Sequence, residues 1–267
     1  MINRLNQKFD RLRSKGSPAL VPFITANYPD AERFQQLAAA VCEAGADVLE
    51  IGFPHSDPLA DGPIIQRSSH TAIVKGFTID RGFDEISLIA RSHPVPVVIM
   101  CYTNMILNYG VTRFIDRCVA SGTSGLIVPD MIIEESDCLR QSCVESNIAF
   151  INLVAPTSPP ARVTAISRLS SGFVYLVSVI GTTGPRSHLD GNLKAVVGTI
   201  RKASPLPVCT GFGISSPEMA GAAAEFSDGV VIGSKILEIV ESDSAQTGYP
   251  AVRKFLSEIK ANIGGRL

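Results

Sequence analysis

Glu50 and Asp61 are the residues whose types and spacing could do chemistry in this 267-residue chain. Glu50 interrupts the apolar run Val48, Leu49, Ile51. On strand alternation it shares a face with Val48 and points into whatever that face encloses. A charge there must be paired, neutralised or used, and a carboxylate in use moves protons or holds developing positive charge. Asp61 follows in a segment punctuated by Gly52, Pro54, Pro58, Gly62 and Pro63, which cannot continue as strand or helix and must be a shaped loop. The competing accounts are structural. A buried ion pair with a lysine or arginine would explain Glu50, and Asp61-Gly62 is a turn signal on its own.

A second chemistry is written further along. Gly211-Phe212-Gly213-Ile214-Ser215-Ser216 and Gly233-Ser234 each follow a short apolar run and precede a helical pattern. Glycines let the backbone approach closely and turn its N–H groups inward, and the helix starts near Ser216 and Ser234 add the positive ends of their dipoles, so the pair suits a phosphorylated ligand without any lysine. The plainer account is a pair of tight turns, with Ser215 or Ser216 as N-cap and Glu218 completing a capping box. Tyr175, within a VYLVS run, reads equally as core with its hydroxyl satisfied. The segment Gly181-Thr182-Thr183-Gly184 is either a simple connection or a lid over a ligand. His55 and His188 read as surface loop residues, and the four histidines show no metal-ligand spacing.

The elements that must position these residues alternate regularly. Strands are predicted at Ala19 to Thr25, Asp47 to Gly52, Val95 to Tyr102, Gly125 to Pro129, Ile148 to Val154, Phe173 to Val179, Leu206 to Thr210 and Gly229 to Ile232. Between them lie helical patterns: Ala31 to Ala44, Gln66 to Lys75, Asp80 to Arg91, Thr112 to Ala120, Glu134 to Ser146, Pro160 to Leu169, Asn192 to Ala203 and Pro217 to Phe226, with a last helix at Pro250 to Ala261. A loop is expected through Asn104 and Asn108. Eight such units without a linker or composition break predict one (β/α)8 TIM barrel over residues 1–267, with an open doubly wound sheet as the alternative. In a barrel the residues singled out fall where function collects, at strand ends and in the loops after them.

Composition narrows the class. With 24 basic and 25 acidic side chains, nothing marks the chain as a nucleic-acid or membrane-surface binder. The six cysteines show no C-x-x-C spacing, and Cys42, Cys101 and Cys209 sit in apolar segments as reduced, buried thiols of a cytoplasmic protein would. The opening MINRLNQKFDRLRSKG lacks the apolar core of a signal peptide and reads as an extra N-terminal helix packed on the body. No uninterrupted membrane-length apolar run follows it.

Leu49-Glu50-Ile51-Gly52, Ser56-Asp57-Pro58-Leu59-Ala60-Asp61-Gly62-Pro63 and Ile65-Gln66 resemble the signature of the tryptophan synthase α subunit family. Gly181-x-Thr183-Gly184, Gly211-Phe212-Gly213-Ile214-Ser215 and Gly233-Ser234 resemble its later segments in the same order, so the likeness covers nearly the whole chain. The resemblance implies a barrel that cleaves indole-3-glycerol phosphate to indole and glyceraldehyde 3-phosphate. It implies no metal and no cofactor in this chain, pyridoxal phosphate being expected only in a β-subunit partner, with which an α2β2 heterotetramer would form. By the same resemblance Glu50 is the general acid/base and Asp61 holds the indole N–H. Tyr175 and Thr183 position substrate and lid; Phe23, Ile65, Leu126 and Phe212 form an apolar slot; and the backbone at Gly184, Gly213, Gly233 and Ser234 holds phosphate. The sequence departs from the family pattern at His55, where Phe or Tyr is usual, at Ile132, where proline is usual, and at Thr182, where valine is common. In the family the loop carrying His55 and the segment near Ile132 face the β subunit. A stand-alone lyase that releases free indole, and a non-catalytic regulatory barrel, are the alternatives.

Overall fold

The computed structural model describes residues 3–177, 186–211, 213–242 and 248–264, with side chains described from residue 193 in the second of these stretches. The chain opens with helix α1 (Arg4–Ser14), started by Asn3, whose side chain accepts the Leu5 N–H. Nine strand segments follow among the described residues: β1 (Ala19–Thr25), β2 (Leu49–Gly52), β3 (Val97–Met100), β4 (Thr123–Ile127), β5 (Ala149–Ile151), β6 (Leu153–Val154), β7 (Val174–Val177), β8 (Val208–Gly211) and β9 (Gly229–Ile232). Their spatial order is β5-β4-β3-β2-β1-β9-β8-β7-β6, with every pairing parallel. Only Asn152 separates β5 from β6, so the two ends of that order are pieces of one run and the sheet comes round on itself. Sequential neighbours throughout, with no reversal of order, are the mark of the predicted barrel rather than of a doubly wound sheet.

Helices lie between the strands: α2 (Ala31–Glu43), α3 (Pro63–Val74), α4 (Ile79–Ser92), α5 (Thr103–Tyr109), α6 (Val111–Ser121), α7 (Asp137–Glu145), α8 (Pro160–Leu169), α9 (Arg186–Ala203), α10 (Pro217–Ala224), α11 (Ser234–Ser242) and α12 (Pro250–Gly264). Local chemistry sets several starts. Asp30, Thr78 and Ser216 each accept the backbone N–H three residues on, and Pro63, Pro160 and Pro217 stand where a missing N–H costs nothing. The capping box expected at α10 is not completed, because Glu218 is the second helical residue and Met219 holds the third position.

Alternation along the strands divides the core into two shells. Val21, Val48, Val98, Ile127, Cys209 and Val231 fill the barrel interior, whereas Leu20, Leu49, Ile51, Val97, Ile99 and Leu126 pack outward against helices carrying Phe34, Phe83 and Phe114. The expected N-terminal helix is present and packs on the interior shell. Leu5, Phe9 and Leu12 of α1 join that shell, with the Phe9 and Phe173 ring centroids 5.6 Å apart. Asn3 ties the helix to Ser124 O (2.9 Å) and Asn147 O (2.7 Å). At the same end Asp47, buried just before β2, accepts the Leu20 N–H (2.9 Å) and pairs with Lys260 of α12 and Lys8 of α1.

Two sequence expectations give way here. The loop expected through Asn104 and Asn108 is helix α5, because Asp130 accepts both the N–H and the hydroxyl of Thr103, each at 2.9 Å, and so serves the first turn from another strand's loop. The single helix expected over Glu134 to Ser146 is a 3-10 turn, Ile133–Glu135, followed by α7. All six cysteines are free; Cys101 and Cys209 are buried and Cys42 is half-buried. Among the described residues no helix is long and apolar enough to cross a membrane.

Candidate active site

Glu50 stands on β2 between Phe23 of β1 and Val98 of β3 in the strand register, facing the barrel interior near its upper end. It is 1% exposed, and its Oε2 has no hydrogen-bond partner among the described residues. Burial, and after it the negative charge of Asp61, push its carboxyl up to about 8. No lysine or arginine enters that balance, so the ion pair that would have made Glu50 structural is not found among the described residues. A carboxyl that is mostly protonated near neutral pH, yet can ionise, is equipped to give and take a proton.

Asp61 is held differently. Its loop is folded on itself, with the Asp61 N–H on Pro58 O (3.0 Å) and Gln66 Nε2 on Asp61 O (2.9 Å), immediately before Gly62 caps α3. Tyr102, at the start of α5, donates its hydroxyl to Asp61 Oδ2 (3.1 Å) and accepts the Ala60 N–H (3.1 Å). Burial pushes the half-buried Asp61 carboxyl up to about 6, against the Tyr102 hydrogen bond, which pulls it down. Asp61 is therefore largely ionised at neutral pH while Glu50 is largely protonated. Two neighbouring carboxyls driven apart in this way can divide the roles of proton carrier and anionic anchor.

Both acids line one cleft, with about 470 Å³ of empty space counting the open solvent at its mouth. Phe23 and Ile65 form apolar wall on the acid side, and Phe23 fits there because two neighbours lack side chains. A Cβ on Gly52 would lie 2.5 Å from the Phe23 ring, and one on Gly233 3.0 Å from it. Tyr175 lies deeper, 5% exposed, its hydroxyl ionisation pushed well above the ordinary range by burial and then by Glu50. A Cβ on Gly211 would sit 2.6 Å from that hydroxyl. Met100, Gly213, Ile214, Val231, Gly233 and Ser234 complete the lining. Gly213 adopts φ +78°, a turn open to glycine, between β8 and α10, and Ser234 opens α11 directly after Gly233. N–H groups in a helix's first turn lack partners within the helix, so this side of the cleft favours an anion.

The structure thus brings together Glu50, Asp61, Phe23, Ile65, Tyr175, Gly213, Gly233 and Ser234. Thr183, Gly184 and Phe212 lie outside the described residues, as does Thr182. Leu126 is placed elsewhere. It is fully buried in the outward shell against the helices, and its neighbour Ile127 faces the interior, in register with the cleft residue Met100. The resemblance placed Leu126 in the slot, and the run Leu126, Ile127, Val128 carries no polar residue that would have marked its faces and exposed the slip of one position. That reading also missed Tyr102, Met100, Ile214 and Val231. For Tyr102 a signal existed: a hydroxyl-bearing aromatic at the predicted end of the third strand, where barrel sites are built. Among the described residues no cluster of three or more His, Cys, Asp or Glu side chains could hold a metal ion.

Comparison with known proteins joins these observations to a family. The tryptophan synthase alpha chain family model matches residues 9–263. The tryptophan synthase alpha chain of Synechocystis sp. is 39% identical over 266 residues, covering 98% of this chain and all of the relative, and that of Geotalea daltonii is 39% identical over 262 residues, covering 98% and 99%. In fold, tryptophan synthase subunit alpha from Legionella pneumophila superposes with a TM-score of 0.91 at 31% identity over the full length of both chains. A chain of Mycobacterium tuberculosis tryptophan synthase gives 0.90 at 33% identity over 99% of each. Alike from end to end in sequence and in fold, the chain belongs to the tryptophan synthase alpha chain family.

Proposed function

We infer that the chain is a lyase that cleaves indole-3-glycerol phosphate to indole and glyceraldehyde 3-phosphate, as the α subunit of tryptophan synthase in tryptophan biosynthesis. The observation that carries the reading is a buried Glu50, its Oε2 without a hydrogen-bond partner among the described residues, on the wall of a cleft whose other side is built from the glycine turns at Gly213 and Gly233. Retro-aldol cleavage needs a proton delivered to indole C3 and another taken from the glycerol hydroxyl beside the breaking bond, while the ring nitrogen carries transient positive charge. Glu50, protonated at neutral pH, gives the first proton, and as carboxylate it takes the second. Asp61, ionised and steadied by Tyr102, accepts the indole N–H and stabilises the cation. Phe23 and Ile65 flank the ring, Tyr175 and Thr183 position substrate and lid, and backbone at Gly184, Gly213, Gly233 and Ser234 holds the phosphate, with Phe212 against the ring. The chemistry asks for no cofactor in this chain.

The whole chain, 1–267, works as one barrel domain in the cytoplasm, paired with a β subunit that carries pyridoxal phosphate in an α2β2 heterotetramer. Exposed apolar side chains around the mouth, Leu59 at 85% and Ile132 at 49%, support a partner surface there. A partner that favours closed loops raises turnover without adding a catalytic group. Steady-state indole release from indole-3-glycerol phosphate, with and without the cognate β subunit and alongside sedimentation of the mixture, tests this. Weak release alone, accelerated in a mixed complex, is expected. Full release alone with no complex at micromolar concentration leaves a stand-alone lyase, and no release in either case overturns the lyase reading.

A further inference from the structure

His55 is half-buried in the loop that carries Asp61, and each polar atom of its ring has a partner. The Asp57 N–H donates to Nδ1 at 3.0 Å. A backbone N–H can only donate, so Nδ1 is the bare nitrogen, Nε2 carries the proton, and Nε2 donates to Asn104 Oδ1 at 3.0 Å. The ring also stacks on Tyr102, with centroids 4.7 Å apart and planes 27° from parallel. Tyr102 and Asn104 both belong to the start of α5, which Asp130 fastens through Thr103.

The acid-bearing loop is therefore attached to a fixed element at two points. One is the Tyr102 hydroxyl, shared by the Ala60 N–H and the Asp61 carboxylate. The other is the His55 ring, which joins Asp57 to Asn104 and covers the face of Tyr102. A single attachment would leave the loop free to pivot about the hydroxyl, whereas two fix its rotation. We propose that His55 is a positioning residue for the lyase reaction: its neutral, Nε2-protonated ring locks the loop on α5 and Tyr102 and so sets the direction of the Asp61 carboxylate. The proposal rests on the role of Asp61 inferred above.

The test is steady-state cleavage of indole-3-glycerol phosphate by the full chain and by His55→Ala, His55→Phe, Tyr102→Phe and His55→Ala/Tyr102→Phe, with thermal unfolding of each and Asp61→Asn as reference. Asp61 acts on charge that develops as the bond breaks, so misdirecting it lowers kcat by about tenfold in His55→Ala while KM changes less than about twofold. His55→Phe keeps the stack, loses both hydrogen bonds, and recovers roughly half of that loss on a logarithmic scale. The double variant is no worse than Tyr102→Phe by more than about twofold, because both changes act on one carboxylate. A His55→Ala kcat within twofold of wild type overturns the proposal, as does a fall carried by KM, or losses that multiply in the double variant. If Asp61→Asn retains full turnover, the assigned role of Asp61 falls and the proposal with it; if Asp61→Asn is inactive and His55→Ala is not impaired, only the proposal falls.

Discussion

Two carboxylates three positions apart on one stretch of chain, Asp47 and Glu50, are both buried, at 7% and 1% exposure, and they are treated in opposite ways. Asp47, at the closed end of the barrel, has the Leu20 N–H and the ammonium groups of Lys260 and Lys8. Glu50, at the open end, has an oxygen with no hydrogen-bond partner among the described residues and a second acid for company. Folding alone would select the first arrangement and reject the second, because a buried charge without a partner opposes the compact state. Burial is thus shared by structural and reactive acids, and the absence of a partner is what separates them.

The comparison is tested first where its expected effect is largest. Glu50→Gln keeps shape and removes proton transfer, so kcat falls by about a thousandfold or more, about 4 kcal/mol, while the unfolding transition stays cooperative. Retention of a tenth of wild-type turnover in a steady-state assay would remove Glu50 from the proton path. The same variant reports on stability. Raised from about 4.5 in the unfolded chain to about 8 in the folded one, Glu50 leaves the folded protein holding more protons between those values. Wild-type stability therefore declines relative to Glu50→Gln as pH rises from 4.5 to 8, by a few kcal/mol in all, and the gap is constant above that. Urea unfolding of the two proteins across that range, with parallel curves, would show that Glu50 carries no such burden.

Asp47→Ala should behave in the reverse sense, losing about 2–3 kcal/mol because the Leu20 N–H and two lysines are left unserved. Its kcat should stay within about twofold of wild type, measured below the unfolding transition; a collapse of kcat would place Asp47 in the reactive class. Glu85 is the intermediate case, and its effect falls on pH-dependent stability alone. It is 5% exposed, accepts the Asn27 N–H at 3.2 Å, lies 3.8 Å from Arg81, and has one oxygen without a hydrogen-bond partner among the described residues. Burial raises its carboxyl from about 4.5 to about 7. Glu85→Gln should gain about 2–3 kcal/mol on wild type between pH 4.5 and 7 without touching kcat, as denaturation at the two pH values will show.

Much of this was legible in the sequence, because local chemistry wrote it. Glu50 advertised itself by breaking an apolar face, and Ala19–Thr25 and Gly229–Ile232 are strands over the residues predicted. The glycine turns at Gly213 and Gly233 were legible as space left for an approaching group. What escaped is what distant residues decide. Helix α5 depends on Asp130, 27 positions away, and without that carboxylate Thr103-Asn104 reads as loop. Tyr102 became visible as a site residue only once the fold laid Asp61 against its hydroxyl. The faces of β4 were undecided because Leu126, Ile127 and Val128 are all apolar, and only the closed sheet shows which of them looks inward.

Helix α1 has a consequence for traffic. Leu5, Phe9 and Leu12 stopper one end of the barrel, and the cleft opens at the other, rimmed among the described residues by the Asp61 loop and the glycine turns. A small apolar product cannot drain through the floor. Its fate is decided at the doorstep, where a neighbouring protein seated over the opening would be gatekeeper and recipient at once.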